Sequence, residues 1–152
     1  MNIYLDNCCY NRPYDDQSQL RISLEAQAKL QIQSFIKSKE VLLSASYVLL
    51  YENSKNPYEL RQKTIYSFVK EYVNSYVDTS YSEKVKEIAD EFIQRGIMVA
   101  DAHHLACAIV ARSDCFITTD DKLLRFKSER IRILDPVAFI REWEEVRNNG
   151  DK

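Results

Sequence analysis

Only two of the 152 residues are glycine, Gly96 and Gly150, and this scarcity removes whole classes of fold. A phosphate-binding P-loop or a GxGxxG dinucleotide loop needs several glycines close together, so that the backbone can approach the phosphates. A small β-barrel with glycine-rich turns is excluded on the same ground. The rest of the composition, 45% hydrophobic and 29% charged, is that of an ordinary globular protein and too apolar for a disordered one. One domain is the simplest expectation at this length, burying about 70% of its unfolded surface. We expect it to span residues 1–147, followed by a polar tail at 148–152.

With 21 Lys and Arg against 23 Asp and Glu, the net charge is −2. That balance does not suit a basic protein that coats nucleic acid, but a nucleic-acid enzyme depends on local charge and stays open. The opening MNIYLDNCCYNRP has no basic segment followed by an apolar one, so no signal peptide is expected. No apolar run approaches the roughly 20 residues of a membrane span. The cysteines, Cys8, Cys9, Cys107 and Cys115, form no spaced disulfide framework, which points to a reduced, cytoplasmic protein.

Short apolar segments alternate with helical periodicity along the chain. Strands are predicted at residues 2–5, 41–44, 76–79, 115–118 and 131–134. Helices are predicted from Ser18 as N-cap to Lys37–Lys39, from Ser46 to Asn53, from Asn56-Pro57 to Asn74, and from Ser82 to Gly96. Three more follow, over Asp101–Ala111, over Asp121–Phe126 and from Pro136 to Glu145. Residues after Asp6, including Arg12-Pro13, read as a loop. The alternation predicts an α/β fold with a mainly parallel central sheet.

Ligands of such sheets bind beyond the carboxyl ends of the strands. Two predicted strands run into aspartate there, Leu5 into Asp6 and Thr119 into Asp120. Asp101 opens the helix that leads into the second of these strands, and Glu52 lies on the helix after the 41–44 strand. Gathered acids repel one another and raise each other's pKa, so a fold bears that cost most readily where a cation fills the gap. Hard oxygen ligands suit Mg²⁺ or Mn²⁺, which serve phosphodiester hydrolysis. Taken alone, each acid reads first as structural: Asp6 as a turn residue after a strand, Asp101 and Asp120 as helix caps, and Glu52 as a solvated surface charge.

The segments IYLDNCCYNRP, YVLLYENS and IMVADAHHLACAIVARSDCFITTDDKLL, with the closing strand-Pro-helix, resemble the PIN-domain family over nearly the whole chain. The third segment is the most specific, with an Asp opening a helix of small residues, then an apolar strand and Thr-x-Asp. The resemblance implies a three-layer α/β/α fold and a Mg²⁺- or Mn²⁺-dependent ribonuclease of the VapC-like kind, the toxin half of a toxin–antitoxin pair. It implies catalytic and metal-binding roles for Asp6, Glu52, Asp101 and Asp120, and supporting roles for Asn7 and Thr118. Asp121, next to Asp120, could exchange roles with it. The first motif reads Asp-Asn-Cys-Cys, whereas many family members have Asp-Thr or Asp-Ser. An RNA substrate, an antitoxin and a homodimer are the partners the resemblance brings. The rival reading is a PIN fold that binds or scaffolds without turnover. Structure-specific DNA nucleases of the same fold carry long insertions and further acids that this chain lacks.

Lys122 and Arg125 belong to a basic stretch directly after Asp120 and are candidate RNA-phosphate contacts, as is Arg12 on the loop after Asp6. A solvated helix face accounts for the stretch equally well. His103 and Cys107 stand one helical turn apart, a zinc-like spacing with Cys8 or Cys9, but no CxxC accompanies them and buried core is the preferred reading. No nucleophile elbow supports a Ser/His/Asp triad. Tyr47, Tyr51 and Tyr58 lie around two helices and read first as core, with a partner-facing role as the alternative.

Overall fold

The structure is a computed structural model that describes residues 1–150. Five parallel strands form one sheet: β1 (Asn2–Leu5), β2 (Leu42–Ser46), β3 (Val73–Val77), β4 (Cys115–Ile117) and β5 (Arg132–Leu134), in the order β3-β2-β1-β4-β5. Eight helices surround it: α1 (Asn7–Asn11), α2 (Leu20–Lys37), α3 (Tyr47–Ser54), α4 (Glu59–Tyr72), α5 (Ser82–Gln94), α6 (Val99–Val110), α7 (Asp121–Arg125) and α8 (Pro136–Gly150). The architecture is a three-layer α/β/α sandwich. One helical layer is built on the α5–α6 pair and the other on α2 against α8.

The central strands form because both of their faces can be buried. Ile3, Tyr4 and Leu5 of β1 and Phe116 and Ile117 of β4 are fully shielded, the continuous apolar run that a covered parallel strand requires. Tyr4 stacks on Phe116 in the neighbouring strand at 5.5 Å between centroids. Gly96 ends α5 with φ +94°, its N–H donating to Ile93 O and the Ile97 N–H to Phe92 O, so that the chain can turn into α6.

Several local expectations are corrected. The loop predicted after Asp6 begins with a helix, because the Asp6 side chain accepts the Asn7 N–H and caps α1. Ser18 does not cap α2; Gln19 stands there, without a side-chain cap bond. Leu20, Leu24 and Leu30 follow the apolar periodicity of α2 yet are exposed, and the helix packs through Ala28, Ile32 and Ile36. β3 begins as soon as α4 stops, earlier than predicted, and pairs with β2 through an irregular register. α6 starts at Val99, which moves Asp101 from the cap into the first turn. α8 continues through Gly150, and the final residues of the expected 148–152 tail, 151–152, lie outside the described residues.

From β1 the chain moves outward through β2 to β3, then returns to the other side of β1 for β4 and β5. The direction of winding therefore reverses between β1 and β4. The crevice beyond the carboxyl ends of two such strands is where an open α/β sheet is best placed to hold a ligand.

Candidate metal centre

Asp6 and Thr118 stand at that reversal. The Asp6 N–H donates to Ile117 O at 2.9 Å, so β1 hands its last residue to the end of β4. One Asp6 oxygen accepts the Asn7 N–H at 2.8 Å, and the other accepts the Thr118 hydroxyl at 2.9 Å and the Cys8 thiol at 3.4 Å. Thr118 is fully buried, and its Oγ1 also accepts the Asp120 N–H at 3.1 Å. One hydroxyl thus ties both strand-end acids together.

Asp120 caps α7 with a single oxygen, Oδ1, which accepts the N–H groups of Lys122 and Leu123. Capping and a ligand role are therefore compatible, since each carboxylate has two oxygens. Asp121 is held by Arg21 at 2.8 Å and does not share the setting of Asp120.

Glu52 reaches the same edge from α3. Its Oε1 accepts the Asn7 side-chain N–H at 3.1 Å and its Oε2 pairs with His104 Nε2. That hydrogen bond holds the Glu52 carboxyl below the usual carboxylate range, against the opposing effect of burial. Burial alone would lower the His104 pKa, but the Glu52 hydrogen bond and the charges of Asp6, Glu52 and Asp101 outweigh it and raise it. Both shifts describe one ion pair. His104 Nδ1 in turn meets the Tyr4 hydroxyl at 2.9 Å, and Tyr4 meets Ser46 Oγ at 2.6 Å, so a buried polar chain runs from β2 through β1 and α6 to Glu52.

Asp101 differs from the other three acids. It is half-buried, and among the described residues its carboxylate has no hydrogen-bond or salt-bridge partner. Burial pushes its pKa up to about 6, helped by the negative charges of Asp6, Asp120 and Glu52 and opposed by His104. Among the described residues, no three His, Cys, Asp or Glu side chains are gathered closely enough to grip an ion as they stand. Charges couple over several ångströms, whereas ligation of Mg²⁺ needs contacts of about 2.1 Å, so the two observations agree. The acids share one edge and one field but are not drawn in to ligand distances.

A family profile for the PIN domain matches residues 3–129. The chain belongs to the PIN-domain family. PIN domains are generally nucleases. No match is found among curated proteins. Among solved structures, the chain is similar to one from VapBC2 of Rickettsia felis bound to a DNA fragment from their promoter. The TM-score is 0.55 at 15% identity, covering 88% of this chain and 97% of that one, a likeness of fold.

In this PIN domain the other candidates fall in two groups. Lys122 and Arg125 are exposed on α7, with no carboxylate partner among the described residues. Arg12 is not a free cation: it bridges Asp15 at 3.0 Å and buried Glu25 at 3.1 Å. The zinc-like set is dispersed, with His103 bonded to Val99 O and Cys107 buried in the core. Sequence reasoning missed His104 as the partner of Glu52. Its place three residues after Asp101, on the same face of α6, was the available signal.

Thr118→Val tests the bridge at the strand ends. It removes the hydroxyl that serves Asp6 and Asp120 while keeping the volume. Leaving those groups unpartnered is expected to cost about 1–3 kcal/mol of stability by denaturant titration. Any activity of the acid edge should fall about 10–100-fold, as it does when an outer partner of a metal ligand is lost.

Proposed function

We propose that this PIN domain is a Mg²⁺- or Mn²⁺-dependent endoribonuclease, in which Asp6, Asp101 and Asp120 hold the metal and Glu52 binds it or positions water through it. The observation that carries this reading is Asp101, a half-buried carboxylate without a hydrogen-bond or salt-bridge partner among the described residues, whose pKa is pushed up to about 6 by burial and neighbouring acids. The donor set fits a hard divalent cation, because it consists of carboxylate oxygens. When bound, the cation would supply Lewis-acid stabilisation of the phosphodiester and an activated water.

The chain's own residues contribute orientation. Thr118 and Asn7 fix the Asp6 oxygens, and His104 fixes Glu52 from the buried side. Lys122 and Arg125 are our candidates for holding RNA phosphates, and Asp121 keeps Arg21 beside α7. The likeness to a chain of a VapBC complex supports a toxin role with an antitoxin partner; a cytoplasmic setting and a homodimer belong to the same reading as expectations of ours. Among the described residues no helix is long and apolar enough to cross a membrane.

A PIN module without turnover is the second reading, favoured by the Glu52–His104 pair and by acids that stand apart. Cleavage of single-stranded RNA by the purified protein in Mn²⁺, Mg²⁺ or EDTA separates the two. The nuclease reading expects cutting with either metal and none in EDTA. Inert protein in all three conditions would leave the binding module.

A further inference from the structure

Beside the acid edge lies an open groove of about 850 Å³. Its walls are Tyr47, Val48 and Tyr51 of α3 and Val99 and Ala100 of α6, with Glu52 and Lys55 at one end. Glu52 is thus common to the groove and the acid edge, and Ala100 directly precedes Asp101. Tyr51 is 66% exposed, which leaves its ring open to a stacking partner.

A second, polar hollow of about 270 Å³ adjoins the groove and shares Glu52 and Lys55 with it. Asn7, Asn11 and Asn56 line it with amides bonded to Glu52 and to one another, so Lys55 and Arg61 supply its cationic donors. The Arg61 guanidinium lies over the rings of Tyr58 at 4.3 Å and Tyr14 at 4.6 Å, which hold it in place and leave its N–H edge to another partner. Lys55 Nζ sits 5.0 Å from the centre of the Tyr51 ring. Among the described residues neither Lys55 nor Arg61 is paired with a carboxylate.

We infer that this track is a single-strand seat, in which an unpaired nucleobase stacks in the groove on Tyr51 while Lys55 and Arg61 hold the adjoining phosphates. The inference rests on the nuclease reading and names the form of RNA that reaches the acids. Charge complementarity selects the occupant. A flat base with an anionic backbone matches an aromatic wall next to two unpaired cations, whereas an apolar protein segment would leave both cations unanswered. Duplex RNA keeps its base faces stacked inside the helix and cannot offer one to Tyr51.

Anisotropy of a short labelled single-stranded RNA, measured in EDTA against a hairpin duplex of the same composition, tests this without cleavage. The single strand is expected to bind about tenfold tighter than the duplex. Tyr51→Ala should weaken single-strand binding about tenfold, Tyr51→Phe should preserve it, and Arg61→Ala should weaken it and flatten its salt dependence. Tyr51 is exposed, so an unchanged melting temperature confirms that the variant is folded. Equal affinity for both RNAs, or a Tyr51→Ala variant that binds like wild type, overturns the inference. So does a groove with no RNA affinity, which would belong to a protein segment. Discriminating binding without cleavage in Mn²⁺ would contradict the nuclease reading alone. Metal-dependent cleavage with KM unchanged in Tyr51→Ala would contradict the groove alone.

Discussion

Asp101→Asn is expected to reduce RNA cleavage severely while making the metal-free protein more stable. The two effects have one cause. In the fold the Asp101 carboxyl is raised from 3.8 to about 6, by burial first and by Asp6 and Asp120 next. A carboxyl raised above its unfolded value favours the folded state while protonated, and that contribution is lost as pH rises through about 6. At pH 7 the charged Asp101 therefore works against folding. Solvent screening at a half-buried site reduces the full linkage value, so an isosteric amide should recover about 1 kcal/mol in EDTA. Cleavage should fall by about two to three orders of magnitude, because a ligand that concentrates charge stabilisation at the phosphate is gone. Thermal melts and initial rates on the same preparations check both halves. Loss of activity together with loss of stability would point to misfolding instead of a removed ligand. The gain should shrink as pH falls through 6 and be absent below about 3.8, where Asp101 is neutral in the folded and unfolded states alike.

Phe116→Ala is expected to be the most damaging single truncation to stability. Phe116 is fully buried at the centre of β4 and stacks on Tyr4 of β1. Removing a buried phenyl ring leaves a cavity and costs about 3–5 kcal/mol. For a chain of this size that lowers the melting temperature by about 10 °C or more. The same two strands deliver Asp6 and Thr118, so metal binding should weaken with the fold. Tyr51→Ala, at the surface, should leave the melting temperature unchanged, and the contrast checks that the core lies between β1 and β4.

The parts of the fold legible in the sequence are those whose burial is uniform. β1 and β4 are apolar on both faces, and a run such as Ile3-Tyr4-Leu5 announces itself. β3 was displaced because its burial alternates at the sheet edge and Asn74 and Ser75 carry little apolar signal. Helix α1 was hidden because Asp6 both ends a strand and caps the next helix, two roles that a one-letter pattern cannot separate. Apolar periodicity also overstated the inner face of α2, where Leu20, Leu24 and Leu30 meet solvent.

At the site, strand ends and a helix start pointed to Asp6, Asp101 and Asp120, and parallel pairing of β1 with β4 places the first and last side by side. What the sequence could not display was partnership. Glu52 finds His104 only because α3 lies beside α6. Arg12 looked free until α2 brought Glu25 beneath it. Conversely Lys55 and Arg61 lie outside the basic stretch after Asp120, and only the fold shows them beside Glu52 with no carboxylate partner among the described residues.

In the proposed mechanism the acid edge is a divalent-metal site. Calorimetric titration of Mn²⁺ into metal-stripped wild type and Asp101→Asn, at pH 5.5 and pH 7.5, tests that most directly. Saturable binding by wild type is expected, weaker at pH 5.5 because Asp101 must lose a proton first, and lost or strongly weakened in Asp101→Asn. No heat of binding in wild type, or equal binding by both proteins, would contradict it.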